Sequence, residues 1–168
     1  MRHHPLALAA LALSSLTWTP AAHATADWLT AAPTCVPDSP QSLDFGLTSL
    51  TGGYVRSAGR NPPVAYFCPV WNPDDLTSAI PTWKSLKLQA LDPNSGGGSV
   101  VATLYAKSRS SGAVSPVATV SSGLSSIVTV TSVPLPAALN FKRNAYYVTI
   151  QIDAPTQPAE AHMVMLTN

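Results

Sequence analysis

Charged side chains are scarce in this sequence: Asp, Glu, Lys and Arg together make up 10% of its 168 residues. Nine basic residues oppose eight acidic ones, and one of the basic residues, Arg2, lies at the extreme N terminus, so the rest of the chain has no net charge. Binding to nucleic-acid phosphates needs a concentrated basic patch, and attraction to an anionic membrane needs a polybasic segment. The composition therefore argues against both partners.

Residues with catalytic chemistry are also few. Of the four histidines only His162 lies beyond residue 24, and the G-x-S-x-G, H-E-x-x-H and S-x-x-K signatures are absent. A hydrolytic triad would need His162 beside a serine and a carboxylate, whereas its place in an apolar run favours a structural role. The adjacent carboxylates Asp74 and Asp75 are better explained as caps of a short turn than as an acid–base pair. We expect a non-enzymatic protein without a cofactor or metal.

No apolar run reaches the ~20 residues that a membrane-spanning helix needs. The run Leu6–Leu16 follows a basic start and precedes the small-residue stretch Ala22-His23-Ala24, which is the order of parts in a secretory signal peptide. We expect residues 1–24 to be this peptide, although Ala24-Thr25-Ala26 offers a second cleavage frame. The product is then secreted or periplasmic and not inserted in a membrane.

The sequence has only two cysteines, Cys35 and Cys68. An even number of cysteines in an exported protein favours a disulfide. The bond would close a loop of about 34 residues, for which the chain-entropy model gives about 3 to 4 kcal/mol. A metal or redox pair is the alternative, but the spacing is far from C-x-x-C and no histidine is near in the sequence.

Alternating apolar and polar residues indicate strands separated by Gly, Pro and Ser turns. Leu86–Leu91 alternates most clearly, and we expect Val100–Lys107 to pair back onto it. Tyr54–Arg56 and Val64–Val70 flank a turn and are expected to form a hairpin. Asp74–Ala79 is the only helix candidate. Further strands are expected at 43–50, 114–120, 127–133, 146–153 and 161–166.

These seven or eight strands, with no amphipathic helices between them, predict an all-β fold: a single antiparallel β-sandwich, jelly-roll-like. An immunoglobulin-like order or a closed barrel stays open, because periodicity does not specify strand order. We expect residues 25–50 to form an extended N-terminal arm tied down by Cys35, and residues 51–168 to form the sandwich.

One stretch offers the chemistry of a sugar site. Sandwiches that bind sugars stack aromatic rings against the apolar side of a pyranose and place polar groups near its hydroxyls. The candidate ligand-binding set, with two additions from the adjoining hairpin, is Trp71, Asn72, Asp74, Asp75, Tyr54 and Arg56. The plain alternative is that Trp71 covers the edge of the core and the polar residues form turns.

A calcium site is conceivable at Asp92, Asn94 and the carbonyls of Gly96–Gly98, but three ligands are too few. Asp, Asn and Gly are also the residues that a tight turn selects. The basic residues Lys142 and Arg143, like Arg60, are interpreted as solvated loop charges.

Four segments resemble small secreted β-sandwich proteins of Gram-negative bacteria, a largely uncharacterised group: Tyr66-Phe67-Cys68-Pro69-Val70, the strand Leu86–Leu91 with its Gly-rich turn, Thr103-Leu104-Tyr105, and Ala145-Tyr146-Tyr147-Val148. The resemblance covers residues 53–153 and rests on spacing and residue type. Members often carry additional cysteines in the later strands, where this chain has none. The resemblance implies the sandwich fold and brings no active residues.

The sequence thus predicts an exported, non-enzymatic binding protein whose partner is a surface polysaccharide or another surface protein. The alternative is a structural or self-associating protein, because the β-rich run Ser125–Val133 suits edge-to-edge assembly. An open, unprotected strand edge would favour assembly. A concave face bearing Trp71 and polar groups would favour a ligand.

Overall fold

The computed structural model describes residues 26–49, 51–57, 62–72, 80–94 and 98–168. The signal peptide expected at 1–24 and the helix candidate Asp74–Ala79 lie outside these residues. The described elements, in chain order, are β1 (Trp28–Ala31), the 3-10 helix η1 (Ala32–Thr34), β2 (Val36–Pro37), α1 (Pro40–Phe45), β3 (Gly46–Ser49), β4 (Tyr54–Ser57), β5 (Val64–Val70), β6 (Ser85–Asp92), β7 (Ser99–Ser108), β8 (Val114–Ser121), β9 (Ser125–Pro134), β10 (Asn144–Asp153) and β11 (Ala159–Thr167). None of these helices is long and apolar enough to cross a membrane.

The strands form two sheets in which every described pair is antiparallel. The first sheet has the order β3-β4-β11-β6-β9, with β1 also paired to β11, and the second has the order β2-β5-β10-β7-β8. From β4 onward the chain crosses repeatedly between the sheets, as in a jelly roll. The predicted all-β antiparallel sandwich is confirmed.

Along the long inner strands, alternate residues are buried between the two sheets, and these residues form the core. On β6, Leu86, Leu88 and Ala90 are buried, while the intervening Lys87 and Gln89 are half-buried on the outer face. Strands β7 and β10 follow the same rule, with alternate apolar residues fully buried. Because both sheets bury one face, their inward side chains form one continuous cluster.

The two expected strand pairings are wrong. Strand β4 pairs with β3 and β11, and β5 pairs with β2 and β10, so they do not form a hairpin. Likewise β7 pairs with β8 and β10 and not with β6. The strands β4, β5, β6 and β7 each have one apolar face. Because successive strands lie in opposite sheets, their apolar faces pack against each other in the core. Alternation specifies which face is buried but not which strand lies alongside.

The segment expected as an extended arm contributes to both sheets instead. Strand β1 pairs with β11 and β2 pairs with β5, and the strand expected from residue 43 begins only at Gly46, after helix α1. Ser39 starts this helix because its hydroxyl accepts a bond from the Ser42 amide at 3.2 Å, and Pro40 has the backbone angle of a first helical residue.

The predicted disulfide between Cys35 and Cys68 is confirmed. Cys35 directly precedes β2, and Cys68 lies on β5 beside the register pair formed by Val36 and Phe67. The bond therefore fastens the N-terminal segment to an inner residue of the second sheet.

Candidate functional site

The residues predicted to bind a ligand are divided between the two sheets. Trp71 and Asn72 directly follow β5 of the second sheet, and Trp71 is 64% exposed. Tyr54 and Arg56 lie on β4 of the first sheet. Asp74 and Asp75 lie outside the described residues. A ligand site at this set stays a prediction.

Tyr54 and Arg56 belong to a compact polar cluster on the first sheet. The Arg56 guanidinium lies 5.8 Å from the centre of the Tyr54 ring, and that ring lies 5.5 Å from the His162 ring. Glu160 lies 3.1 Å from His162 Nε2 and 4.0 Å from Arg56 Nη1. The four residues of this polar cluster thus contact one another across the β4–β11 pair.

The described part of the chain does not place a serine and a carboxylate together beside His162, as a hydrolytic triad would require. His162 has a carboxylate partner, Glu160, but there it has no serine hydroxyl within hydrogen-bond distance. The register of β11 shifts between Ala161 and Met163, which makes His162 the extra residue of a β-bulge. Its surroundings fit a structural role.

The side-chain oxygens of Asp92 and Asn94, proposed as calcium ligands, are engaged by protein donors, and Gly96 and Gly97 lie outside the described residues. The buried Asp92 carboxylate accepts bonds from the Asn94 amide at 3.1 Å and from the Ser122 hydroxyl at 2.7 Å. The buried Asn94 carbonyl oxygen accepts from Thr156 Oγ1 at 2.9 Å and from the Gln157 amide at 2.8 Å. The loops after β6, β8 and β10 are thereby joined by one network. The turn interpretation therefore explains these residues, and no metal-binding cluster exists among the residues that the structure describes.

The outer face of the second sheet carries a feature that the sequence did not reveal. Phe67 on β5, Tyr147 on β10 and Tyr105 on β7 lie side by side across three adjacent strands, and we call them the aromatic row. The ring centres of Phe67 and Tyr147 are 4.9 Å apart. Those of Tyr147 and Tyr105 are 5.3 Å apart, with planes 18° from parallel. The row therefore forms one continuous apolar strip.

Strand register explains the row. Tyr147 lies directly opposite Tyr105 across the β10–β7 pair and opposite Pro69 across the β10–β5 pair. Phe67 is the diagonal neighbour of Tyr147, a separation that aromatic side chains can bridge. Because β5, β7 and β10 each bury the alternate residues, all three rings project from the outer face.

The aromatic row is accessible and offers hydrogen-bonding groups. Phe67 is 37% exposed, and the two tyrosines are half-buried. Neither the Tyr105 nor the Tyr147 hydroxyl bonds to another group in the described chain. Both residues are half-buried and neither hydroxyl is enclosed in the core, so each can bond to solvent or to a ligand.

Polar residues continue the face beyond the row. Thr149 lies opposite both Phe67 and Thr103, and Thr103 shares a hydroxyl hydrogen bond of 3.2 Å with Thr119. On the opposite side of the row, a groove of about 470 Å³ is lined by Phe67, Pro69, Val70, Lys107, Val114, Ala145, Tyr146 and Tyr147. The face therefore combines an apolar strip, flanking hydroxyls and a shallow groove.

No protein-family model matches the chain, and no curated protein is significantly similar to it. Among solved structures, BiXyn10A CBM1 is 12% identical with a TM-score of 0.43, and the match covers 84% of this chain and 96% of that one. A family 11 carbohydrate-binding module from Clostridium thermocellum, in complex with a β-1,3-1,4-mixed-linked tetrasaccharide, is 10% identical with a TM-score of 0.40, covering 89% and 92%. A mutant of the family 29 module CBM29-2, complexed with cellulohexaose, is 12% identical with a TM-score of 0.37, covering 86% and 80%.

Proposed function

We propose that this chain is an exported, non-catalytic protein that binds a polysaccharide along the aromatic row. The observation that supports it most directly is the row itself. Phe67, Tyr147 and Tyr105 form an accessible apolar strip, and the two tyrosines carry hydroxyls without partners in the described chain. A pyranose chain has apolar C–H patches and many hydroxyls, and a ligand of that kind uses both features.

Cross-strand aromatic pairs also stabilise a sheet by themselves, so the row has a second physical reason to exist. Packing alone would not require the tyrosine hydroxyls, because phenylalanine pairs equally well. Nor would it require the polar threonines next to the rings. The combination fits a surface that contacts hydroxyl-rich ligands.

In this proposal Trp71 extends the site at its margin. It follows β5 two residues after Pro69, and its position in the sequence continues the alternation that places Phe67 and Pro69 on the outer face. Tyr54 and Arg56 are not part of the site, because they lie on the first sheet and contact Glu160 and His162 there.

The test is an affinity-electrophoresis screen of the oxidised protein against soluble plant, fungal and bacterial polysaccharides. We expect at least one polysaccharide to retard the protein, Tyr147→Ala to abolish the retardation, and Trp71→Ala to weaken it. Tyr54→Ala is the matched control, since it removes a half-buried tyrosine from the opposite sheet, and it should behave like the unmodified chain. Retardation that survives Tyr147→Ala but is lost in Tyr54→Ala would move the site to the first sheet.

A second candidate function, edge-to-edge assembly, is favoured by β9. This ten-residue strand is the edge of the first sheet and contains no charged residue. Ile127 and Val130 are 68% and 55% exposed along it. Natural sheets usually protect such an edge with charges, prolines or bulges. Pro134 at the end of β9 and the register shift in its pairing with β6 protect only part of this edge, so its middle stays open to a second strand.

A further inference from the structure

Two pairs of basic residues that are distant from each other in the sequence converge at one end of the second sheet: Lys107 with Arg109, and Lys142 with Arg143. The amide of Arg109, just after β7, donates a 2.9 Å bond to the carbonyl of Arg143, just before β10. Lys107 lies opposite Ala145 in the same strand pair. All four side chains are exposed. We call these residues the basic cluster.

The basic cluster has no acidic partner in the described part of the chain. The two ion pairs in that part of the chain both involve Glu160 on the first sheet. Asp153, the acidic residue of β10, is at the other end of that strand, opposite Ser99. The cluster holds four of the eight basic residues beyond residue 24. Several positive charges close together on one exposed surface give a positive potential that attracts an anionic ligand.

The basic cluster is continuous with the aromatic row. The groove beside the row includes Lys107 and Ala145. These two residues also line the next depression, together with Ser108 and Arg109. Arg109 then lines a third depression with Lys142 and Arg143. Lys107 is two residues from Tyr105 on one strand, a separation of about 7 Å. One surface thus leads from the rings to the charges.

We infer that the polysaccharide recognised by this face is anionic, with its carboxylate or sulfate groups held by the basic cluster while its sugar rings lie along the aromatic row. This inference rests on the proposed function and specifies its ligand class. Arginine and lysine form charge-assisted hydrogen bonds with such groups, and the guanidinium fork suits carboxylate and sulfate oxygens.

A single-stranded nucleic acid is another polyanion that contacts aromatic rings. The hydroxyls of Thr103 and Thr149 beside the row, and those of its two tyrosines, match a ligand with many hydroxyl groups. A saccharide has more hydroxyls than a nucleic acid, so it is the proposed ligand, and the oligonucleotide is the alternative that the experiment tests.

The experiment measures affinities of the full oxidised chain for matched pairs of polymers by isothermal titration calorimetry. The pairs are polygalacturonate with its methyl ester, and dextran sulfate with dextran. The variants are Arg109→Gln/Arg143→Gln and Tyr147→Ala. The control is Lys84→Gln/Lys87→Gln, which removes the same charge near β6 of the first sheet. A single-stranded oligonucleotide is titrated in parallel.

We expect tighter binding to one acidic polymer than to its neutral partner, and weakening by added salt. Affinity for that polymer should fall at least about tenfold, about 1.4 kcal/mol, in Arg109→Gln/Arg143→Gln and should be unchanged in the Lys84→Gln/Lys87→Gln control. Tyr147→Ala should abolish measurable binding, as expected from the proposed function.

The remaining outcomes separate the two proposals. Equal affinity for acidic and neutral polymers, lost only in Tyr147→Ala, overturns the anionic ligand and leaves the polysaccharide function standing. Acidic binding that Tyr147→Ala does not change overturns the aromatic row as the sugar site. Equal or tighter binding of the oligonucleotide overturns the saccharide assignment, and no binding to any polymer overturns the inference.

Discussion

Tyr105 and Tyr147 face each other directly across the β7–β10 pair, with ring centres 5.3 Å apart and planes 18° from parallel. Such a contact stabilises a sheet by about 0.5 to 1.5 kcal/mol beyond the area it buries. It also fixes the positions of two hydroxyls that have no partner in the described chain. A surface held rigid in this way loses little conformational entropy when a ligand binds.

Tyr147 allows ring and hydroxyl to be tested separately. Tyr147→Ala removes contacts with both Phe67 and Tyr105, so we expect the free energy of unfolding to fall by about 1 to 2 kcal/mol and polysaccharide binding to be lost. Tyr147→Phe keeps both ring contacts, so its stability should match the unmodified chain while its affinity falls. Urea denaturation and calorimetry measure the two effects. Unchanged affinity in Tyr147→Phe would show that the hydroxyl does not contact the ligand.

The disulfide should stabilise the sandwich without being needed to form it. Cys35→Ser/Cys68→Ser releases a loop closed over a sequence separation of 33, and we expect unfolding to become easier by about 3 to 4 kcal/mol. Strand β5 keeps its long pairing with β10, so the far-ultraviolet circular dichroism spectrum should retain its β character. Equal urea midpoints for the two proteins would contradict this prediction.

Asn94 should be a stability residue and not a ligand residue. Asn94→Ala removes the acceptor of Thr156 Oγ1 and of the Gln157 amide. Asn94 is buried, and its two part-buried hydrogen bonds contribute about 0.5 to 1.5 kcal/mol each, so we expect a loss of about 1 to 3 kcal/mol. Thr103→Val is the control because its bond to Thr119 is exposed, and it should change stability by less than about 0.5 kcal/mol. Similar losses in both variants would refute a special role for the network.

Strand β9 forms an open edge of the first sheet, so self-association through it would raise the molar mass of the protein in solution. If chains assemble through β9, light scattering should show a molar mass that rises with concentration. Val130→Lys should then restore the monomer, because a charge on an edge strand opposes pairing. Val114→Lys, on the edge strand β8 of the second sheet, should not. A monomer at every concentration in the unmodified chain would remove assembly as a function.

The sequence predicted the fold class because strand patterning is local. The alternation at Leu86–Leu91 corresponds to β6 with the expected buried face. The pairing of β6 with β9 and β11 is not encoded in that alternation, since every strand with one apolar face satisfies it equally well. Helix α1 had a usable signal, a serine followed by proline at Ser39-Pro40, but a six-residue helix is short enough to be taken for a strand.

The aromatic row and the basic cluster were not predicted for a related reason. Phe67, Tyr105 and Tyr147 are separated by about forty residues each in the sequence and become neighbours only through the order β5-β10-β7. Arg109 and Arg143 likewise meet only because β7 pairs with β10. The residues around Trp71, in contrast, are close along the chain, so the sequence alone brought them together as a candidate set.

The most direct test of the proposed site is a titration of the isotope-labelled protein with a fragment of the bound polysaccharide, followed by backbone amide chemical shifts in nuclear magnetic resonance spectra. We predict that the largest changes occur at Phe67, Tyr105 and Tyr147, while Tyr54 and His162 on the first sheet stay unchanged. Changes confined to Tyr54, His162 and their neighbours on β4 and β11 would contradict the proposed site.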